Sequence, residues 1–305
     1  MTTALLLVTS LVLGTLGSIL RKLFMKENDL GTAGSFLFTA ICSLFAGAVL
    51  VFWGGIGEMS RYTLIFGILF GVITAAQGIT YMFAVQTGPL SYTTVITSFS
   101  TVISALSGAM FFGESISWTG IVGIVLMLLC FLLATEKGEK ERKASFLWLI
   151  FCVMALLLTG VIGIMQKMHQ LSPHKGELNF FLVVAFAASA VLSALFAFIL
   201  MAVSRKEKKD STSPGSSDKN KTLKARVVMV LMMIICGICV SINNKFNTHL
   251  AGVMDAAVFF PLINGGGLIL TTVSAFIIFR EKFSKKQWLG LCLGILSVAF
   301  LCLPF

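Results

Sequence analysis

Ten long apolar runs, separated by short polar gaps, set the pattern of the chain. They cover residues 3–21, 33–53, 62–84, 90–112, 116–134, 146–168, 179–203, 226–249, 256–279 and 285–304. An α-helix rises about 1.5 Å per residue and the hydrocarbon core of a bilayer is about 30 Å thick, so each run is long enough, or nearly so, to cross a membrane. The runs are continuous, without the in/out alternation of a membrane β-barrel. The pattern predicts an all-α integral membrane protein with ten transmembrane helices. The chain starts MTTALLLVTSLVLG, without a basic segment before the apolar one, so the first run is expected to be a spanning helix and not a cleaved leader.

Two gaps stand out. Residues 136–143 read EKGEKERK and divide the runs five and five. Residues 205–224 combine charge with Ser, Pro and Gly, a composition that cannot bury a core and predicts a flexible polar loop. The expected organisation is a first five-helix repeat over 1–135, a charged linker over 136–145 and a second five-helix repeat over 146–305.

The halves match each other. Glu114, Ser117 and Gly123 recur as Glu281, Ser284 and Gly290, all at one constant offset. Gly14, Gly17 and Arg21 recur as Gly160, Gly163 and Lys167, again at a constant but shorter offset. The second offset falls short of the first by close to the length of the 205–224 loop, so one insertion reconciles them. An odd number of helices per repeat requires the second to enter the membrane from the opposite side. The charges agree: 19 of the 23 Lys and Arg lie in the odd-numbered loops and 4 elsewhere, following membrane side and not repeat position. The positive-inside rule then places the odd-numbered loops in the cytoplasm and both termini outside.

Composition narrows the class. The chain has 305 residues, 57% of them hydrophobic and only 12% charged, too apolar for a water-soluble domain. The formal charge of +10 does not indicate nucleic-acid binding, because the basic residues sit in the gaps and form no basic helix face. All seven cysteines fall inside apolar runs, and the one CxxC, Cys236 and Cys239, has neither a second pair nor a nearby His to complete a metal site. They are expected to be packing residues. No metal and no cofactor is expected.

Polar side chains inside the runs are the candidates for function, since each needs a partner or a wet cavity. The third run carries Thr74, Gln77 and Tyr81 on one stripe. The eighth carries Ser241 and Asn244 at the repeat-related positions, with Asn243 and Asn247 beside them. The fourth carries Thr97, Thr101 and Ser104, and the ninth places Asn264 at the mate of Thr97. Paired polar positions are what a site at a repeat interface near mid-membrane produces. The hydroxyls have a plainer alternative, bonding to their own helix or joining neighbours. The predicted substrate-binding set is Gln77, Tyr81, Asn244, Asn264, Thr74, Ser241 and Thr97.

Glu114 and Glu281 are expected to hold turns or a neighbouring helix N-terminus. Lys245, Lys167 and Arg21 are read as snorkelling from near helix ends, with a charge at a cavity mouth as the alternative for Lys245. Gly67 with Gly71 and Gly290 with Gly294 form GxxxG pairs that allow close helix approach. Gly265, Gly266 and Gly267 follow Pro261 and predict either a loosened helix or close packing. No HExxH, P-loop or GxSxG is present, and no enzyme activity is expected.

Residues 261–294, PLINGGGLILTTVSAFIIFREKFSKKQWLGLCLG, and more weakly Thr94 to Gly123, resemble the drug/metabolite transporter superfamily, EamA type. Pro261 matches the family's proline early in the ninth helix, whereas Thr94 departs from it at the fourth-helix equivalent. The resemblance implies a transporter with a central cavity lined by helices 1, 3, 4, 6, 8 and 9. The expected activity is secondary transport of a small organic metabolite by alternating access, in a multi-pass protein of the plasma membrane. The expected partners are the small-molecule substrate and the lipid bilayer, with a homodimer left open and nucleic acid excluded. The alternatives are a flippase for an amphipathic lipid carrier and, from another class, an intramembrane enzyme or a signalling scaffold.

Overall fold

The structure is a computed structural model that describes residues 2–27, 31–54, 59–134, 145–207, 219–279 and 284–303. Its α-helices are α1 (Thr3–Glu27), α2 (Gly31–Gly54), α3 (Arg61–Thr87), α4 (Leu90–Ser98), α5 (Ser100–Phe111), α6 (Trp118–Ala134), α7 (Phe146–Leu171), α8 (Leu178–Glu207), α9 (Lys219–Val253), α10 (Ala256–Phe279) and α11 (Lys285–Leu301). A 3-10 turn, Lys175–Glu177, precedes α8. Among the described residues there is no strand.

Nine of the ten apolar runs form one helix each. The fourth forms two, a departure from the single helix expected over 90–112. Thr97 and Ser98 turn their hydroxyls back onto the Thr93 and Thr94 carbonyls (2.9 and 2.8 Å), competing with the backbone ladder. The Phe99 amide then bonds the Ile96 carbonyl and the Val102 amide the Phe99 carbonyl, a tightened turn between α4 and α5. The polar segment at 205–224 is narrower than expected, because α8 reaches Glu207 and α9 begins at Lys219. The linker at 136–144, Glu281 and the centre of the polar segment lie outside the described residues.

Among the described residues, eight helices are long and apolar enough to cross a membrane. Helices α6 and α11 have 17 residues each, about 25 Å at the helical rise and shorter than the hydrocarbon core. Large apolar side chains cover the exterior, with Phe52 91%, Trp118 81%, Phe146 79% and Phe198 77% exposed. An aqueous surface rarely carries such a coat; a lipid-facing one requires it. The protein is a multi-pass membrane protein.

The chain forms two compact units. Unit 1 combines Met1–Thr15, Ala76–Leu178 and Lys245–Phe305; unit 2 combines Leu16–Ala75 and Asn179–Asn244. The two segments of unit 2, Leu16–Ala75 and Asn179–Asn244, come from opposite halves of the sequence. Each unit therefore draws on both halves of the sequence.

Glycine sets the packing inside both units. In unit 2, Gly67 and Gly71 of α3 lie on the α8 backbone: a Cβ at Gly71 would collide with the Ala185 carbonyl oxygen, and one at Gly67 would sit 3.0 Å from that of Phe181. Gly237 of α9 does the same against α2, 2.9 Å from the Cys42 carbonyl, beside the buried cluster of Phe24, Phe38, Cys42, Met233 and Cys236. In unit 1, α6 and α11 pair through Gly123, which leaves room for Leu301, and Gly294, which leaves room for Cys130. The Ser297 hydroxyl donates to the Gly123 carbonyl at 2.6 Å. Helix α10 runs unbroken through Pro261 and the three glycines; Gly265 admits Met127 and Gly266 admits Leu11. Close packing thus accounts for Gly265 and Gly266, whereas Gly267 has nothing within 4 Å of its missing Cβ.

Two glycines of α3 provide a matched test. A methyl at Gly71 meets backbone that cannot move aside, whereas Gly78 has nothing within 4 Å of its missing Cβ. Gly71→Ala is expected to lower the thermal unfolding temperature in detergent, by a loss of about 1–3 kcal/mol. Gly78→Ala is expected to leave it unchanged or raise it through better helix propensity.

Candidate functional site

Unit 1 contains a cavity of about 110 Å³ with a mixed polar and apolar lining. Helix α7 supplies one wall. Thr159, Gly163 and Gln166 follow one another along a single helical stripe. Gly163 lets the opposite wall come close: a Cβ there would lie 2.5 Å from the Ser104 hydroxyl of α5 and 2.9 Å from the Phe260 ring of α10. Asn247 of α9 and Asn264 of α10 complete the polar lining. Phe259 and Phe260, ring centres 5.1 Å apart in an edge-to-face pair, give it an apolar side.

The polar groups are partly engaged. The Asn264 amide donates to the Thr101 hydroxyl at 3.0 Å. The Ser10 hydroxyl donates to the Asn247 side-chain oxygen. Thr159 donates to the Ala155 carbonyl at 2.7 Å and Ser104 to the Gly160 carbonyl at 3.3 Å. Gln166 is only 9% exposed, and among the described residues no protein group bonds its amide.

A buried ion pair lies one residue further along α7. Lys167 is 1% exposed. Its ammonium pairs with Glu114 Oε1, donates to the Met254 carbonyl at 2.9 Å and stands 5.7 Å from the centre of the Phe112 ring. The other carboxylate oxygen, Glu114 Oε2, accepts the amide of Ala256, the first residue of α10, at 2.7 Å. The carboxylate therefore satisfies one of the open amides at a helix N-terminus and answers the positive end of its dipole. Local sequence allows this. Gly113 takes φ +67°, which turns the chain out of α5. Gly108 leaves space that a Cβ would take from Glu114 Oε2. Reading Lys167 as a snorkelling residue is thus corrected: α7 continues to Leu171, so Lys167 is not at a free end, and its counter-charge comes from a turn far back in the chain. Arg21 of α1, its repeat mate, is exposed and donates to Ser35 and Thr39 of α2 at 3.3 and 3.5 Å.

The predicted substrate set is dispersed. Asn264 lines the cavity. Gln77 and Tyr81, both half-buried, and Thr97 belong to unit 1; Thr74, Ser241 and Asn244 belong to unit 2. Thr74, Thr97 and Asn244 each bond a carbonyl of their own helix, on Phe70, Thr93 and Val240. The Ser241 hydroxyl is fully buried, and among the described residues it has no hydrogen-bond partner. Lys245 is half-buried within α9. The cavity adds Gln166 and Thr159, which sequence reasoning did not single out. They lie opposite Leu20 and Leu13 at the offset that relates Gly14 to Gly160, so a search for polar pairs across the repeat passes over them. The usable signal was the reverse: a polar residue in an apolar run whose repeat mate is leucine.

The ion pair predicts a stability asymmetry. Lys167→Met strands a carboxylate and is expected to cost about 3–5 kcal/mol of stability, while Lys167→Met combined with Glu114→Gln costs less than the single change. Thermal unfolding of the three proteins in one detergent checks this; equal stability of the wild type and Lys167→Met would show the pair to be idle.

Comparison with known proteins bears on this architecture. Residues 1–136 match the EamA-like transporter family. A Haemophilus influenzae protein described as uncharacterized is 21% identical over 206 residues, a match that spans 65% of this chain and 62% of that protein. This chain thus matches less than two thirds of that relative's length. A crystal structure reported only as that of a protein superposes with a TM-score of 0.72 at 16% identity, covering 98% of this chain and 96% of the other. The superposition shows a shared fold, and identity that low shows nothing more. This multi-pass membrane protein, with the spanning helices described above, is thus similar over residues 1–136 to the EamA-like transporter family.

Proposed function

We propose that the protein is a secondary transporter of a small organic metabolite, working by alternating access, with substrate held between two inverted five-helix repeats of a plasma-membrane protein. The observation that carries the reading is the composition of the cavity. Ser104 comes from the first half of the sequence, and Thr159, Gln166, Asn247 and Asn264 from the second. A space with polar groups from both halves of the sequence, inside helices that cross the bilayer, is where such transporters bind cargo. Gln77, Tyr81, Thr74, Thr97, Ser241 and Asn244 are proposed to line the substrate's route. Facilitated diffusion or exchange is the proposed mode, because the Glu114 carboxylate is already committed to Lys167 and to the start of α10. The odd-numbered loops are proposed to face the cytoplasm, with both termini outside.

Two measurements test this. In proteoliposomes offered amino acids, sugars and nucleosides, at least one solute is expected to enter faster than into protein-free vesicles, with Asn264→Ala slowing entry about tenfold, the effect of losing a good hydrogen bond to cargo. Rates equal to protein-free vesicles for every solute contradict transport. In intact cells, with native cysteines removed, an impermeant thiol reagent is expected to label Thr2→Cys and spare Ser216→Cys; the opposite labelling reverses the orientation.

A further inference from the structure

We infer that the unit 1 cavity takes an uncharged solute rich in hydrogen-bond donors, a polyol or a primary carboxamide, and that Gln166 is the residue that anchors it. Calling that solute the transported substrate rests on the transporter reading; the binding site itself does not.

Three observations meet here. The first is Gln166, nine-tenths buried, lining the cavity, with an amide that no protein group among the described residues bonds. That amide is open to the cavity with both a donor and an acceptor to offer, so a ligand filling the cavity must answer both or leave them unpaired. The second is the state of the hydroxyls beside it. Thr159 and Ser104 direct their hydrogens to the Ala155 and Gly160 carbonyls, so what they turn to the cavity is acceptor lone pairs. The Asn264 side-chain oxygen adds another acceptor, since its bond to Thr101 is made through nitrogen. The ligand must therefore bring donors. The third is charge. No charged side chain lines the cavity among the described residues, and the nearby Lys167 ammonium is neutralised by Glu114 and the Met254 carbonyl. An anion would find no free cation and a cation no free carboxylate, so an ionised ligand would be desolvated without compensation. Phe259 and Phe260 suit the carbon face of a polyol or the plane of an amide.

The test uses purified full-length protein and four probes: ribitol and propionamide as neutral donors, ribonate and choline as charged counterparts. Ribitol or propionamide at about a hundredfold excess over Kd is expected to raise the unfolding temperature by about 5 °C, with ribonate and choline giving no shift. Gln166→Leu is expected to unfold close to the wild-type temperature without ligand, because its amide faces the cavity and holds no protein partner among the described residues, and to lose the ligand-induced shift. Thr159→Val, whose hydroxyl donates only within its own helix, is expected to weaken the shift and provides a second variant. The assignment is overturned by the absence of a shift with either neutral probe, by an equal shift with the charged probes, or by a shift that survives Gln166→Leu. Flux measurements separate it from the transporter proposal. Binding of ribitol or propionamide through Gln166 without transport of any solute removes the transporter reading and leaves the site. Transport of a charged solute that ignores Gln166→Leu removes the site and leaves the transporter.

Discussion

A lysine ammonium sealed inside a membrane protein has to be answered on all sides, and the way Lys167 is answered organises unit 1. Glu114, the Met254 carbonyl and the Phe112 ring surround it. The same carboxylate holds the first amide of α10. One ion pair thus joins the turn after α5, the last turns of α7 and the start of α10. These are three of the four helices that wall the cavity. Because an orphaned charge in this setting costs several kcal/mol, the three segments keep their register together. Ser104, Gln166 and Phe260 face one another as a consequence of that register.

Glycine makes the arrangement possible at each contact. Gly108 leaves room for the carboxylate, Gly113 turns the chain toward it, and Gly163 allows α5 and α10 to close on α7. Elsewhere the same residue type joins α3 to α8 and α6 to α11. In lipid the hydrophobic effect does not drive helices together, so close backbone approach and interhelical hydrogen bonds such as Ser297 to Gly123 supply the cohesion. The cavity is then the exception that demands explanation, a place where tight packing stops and polar side chains line the gap.

The helices were legible because hydropathy acts over a whole membrane span at a time and few charges interrupt the runs. That averaging is also why the break at Phe99 was not. It depends on two hydroxyls bonding carbonyls one helical turn back, a local competition that hydropathy does not register. Asn264 was found by symmetry, since its mate Thr97 is also polar. Gln166 and Thr159 were not, because their mates are leucines and a binding site has no need to respect the symmetry of the fold that holds it. Lys167 was misplaced for a third reason. Its partner, Glu114, belongs to the other half of the sequence, and nothing in the local sequence distinguishes a lysine that reaches lipid headgroups from one that turns inward.

The central claim is that this cavity opens in turn to each side of the membrane. Ile263 lies in its wall, and Ile263→Cys, in protein without native cysteines, reports on it. Labelling with an impermeant thiol reagent in right-side-out and inside-out vesicles is the direct measurement. The account predicts labelling from both sides, slowed on each by bound solute; labelling from one side only, or from neither, contradicts it.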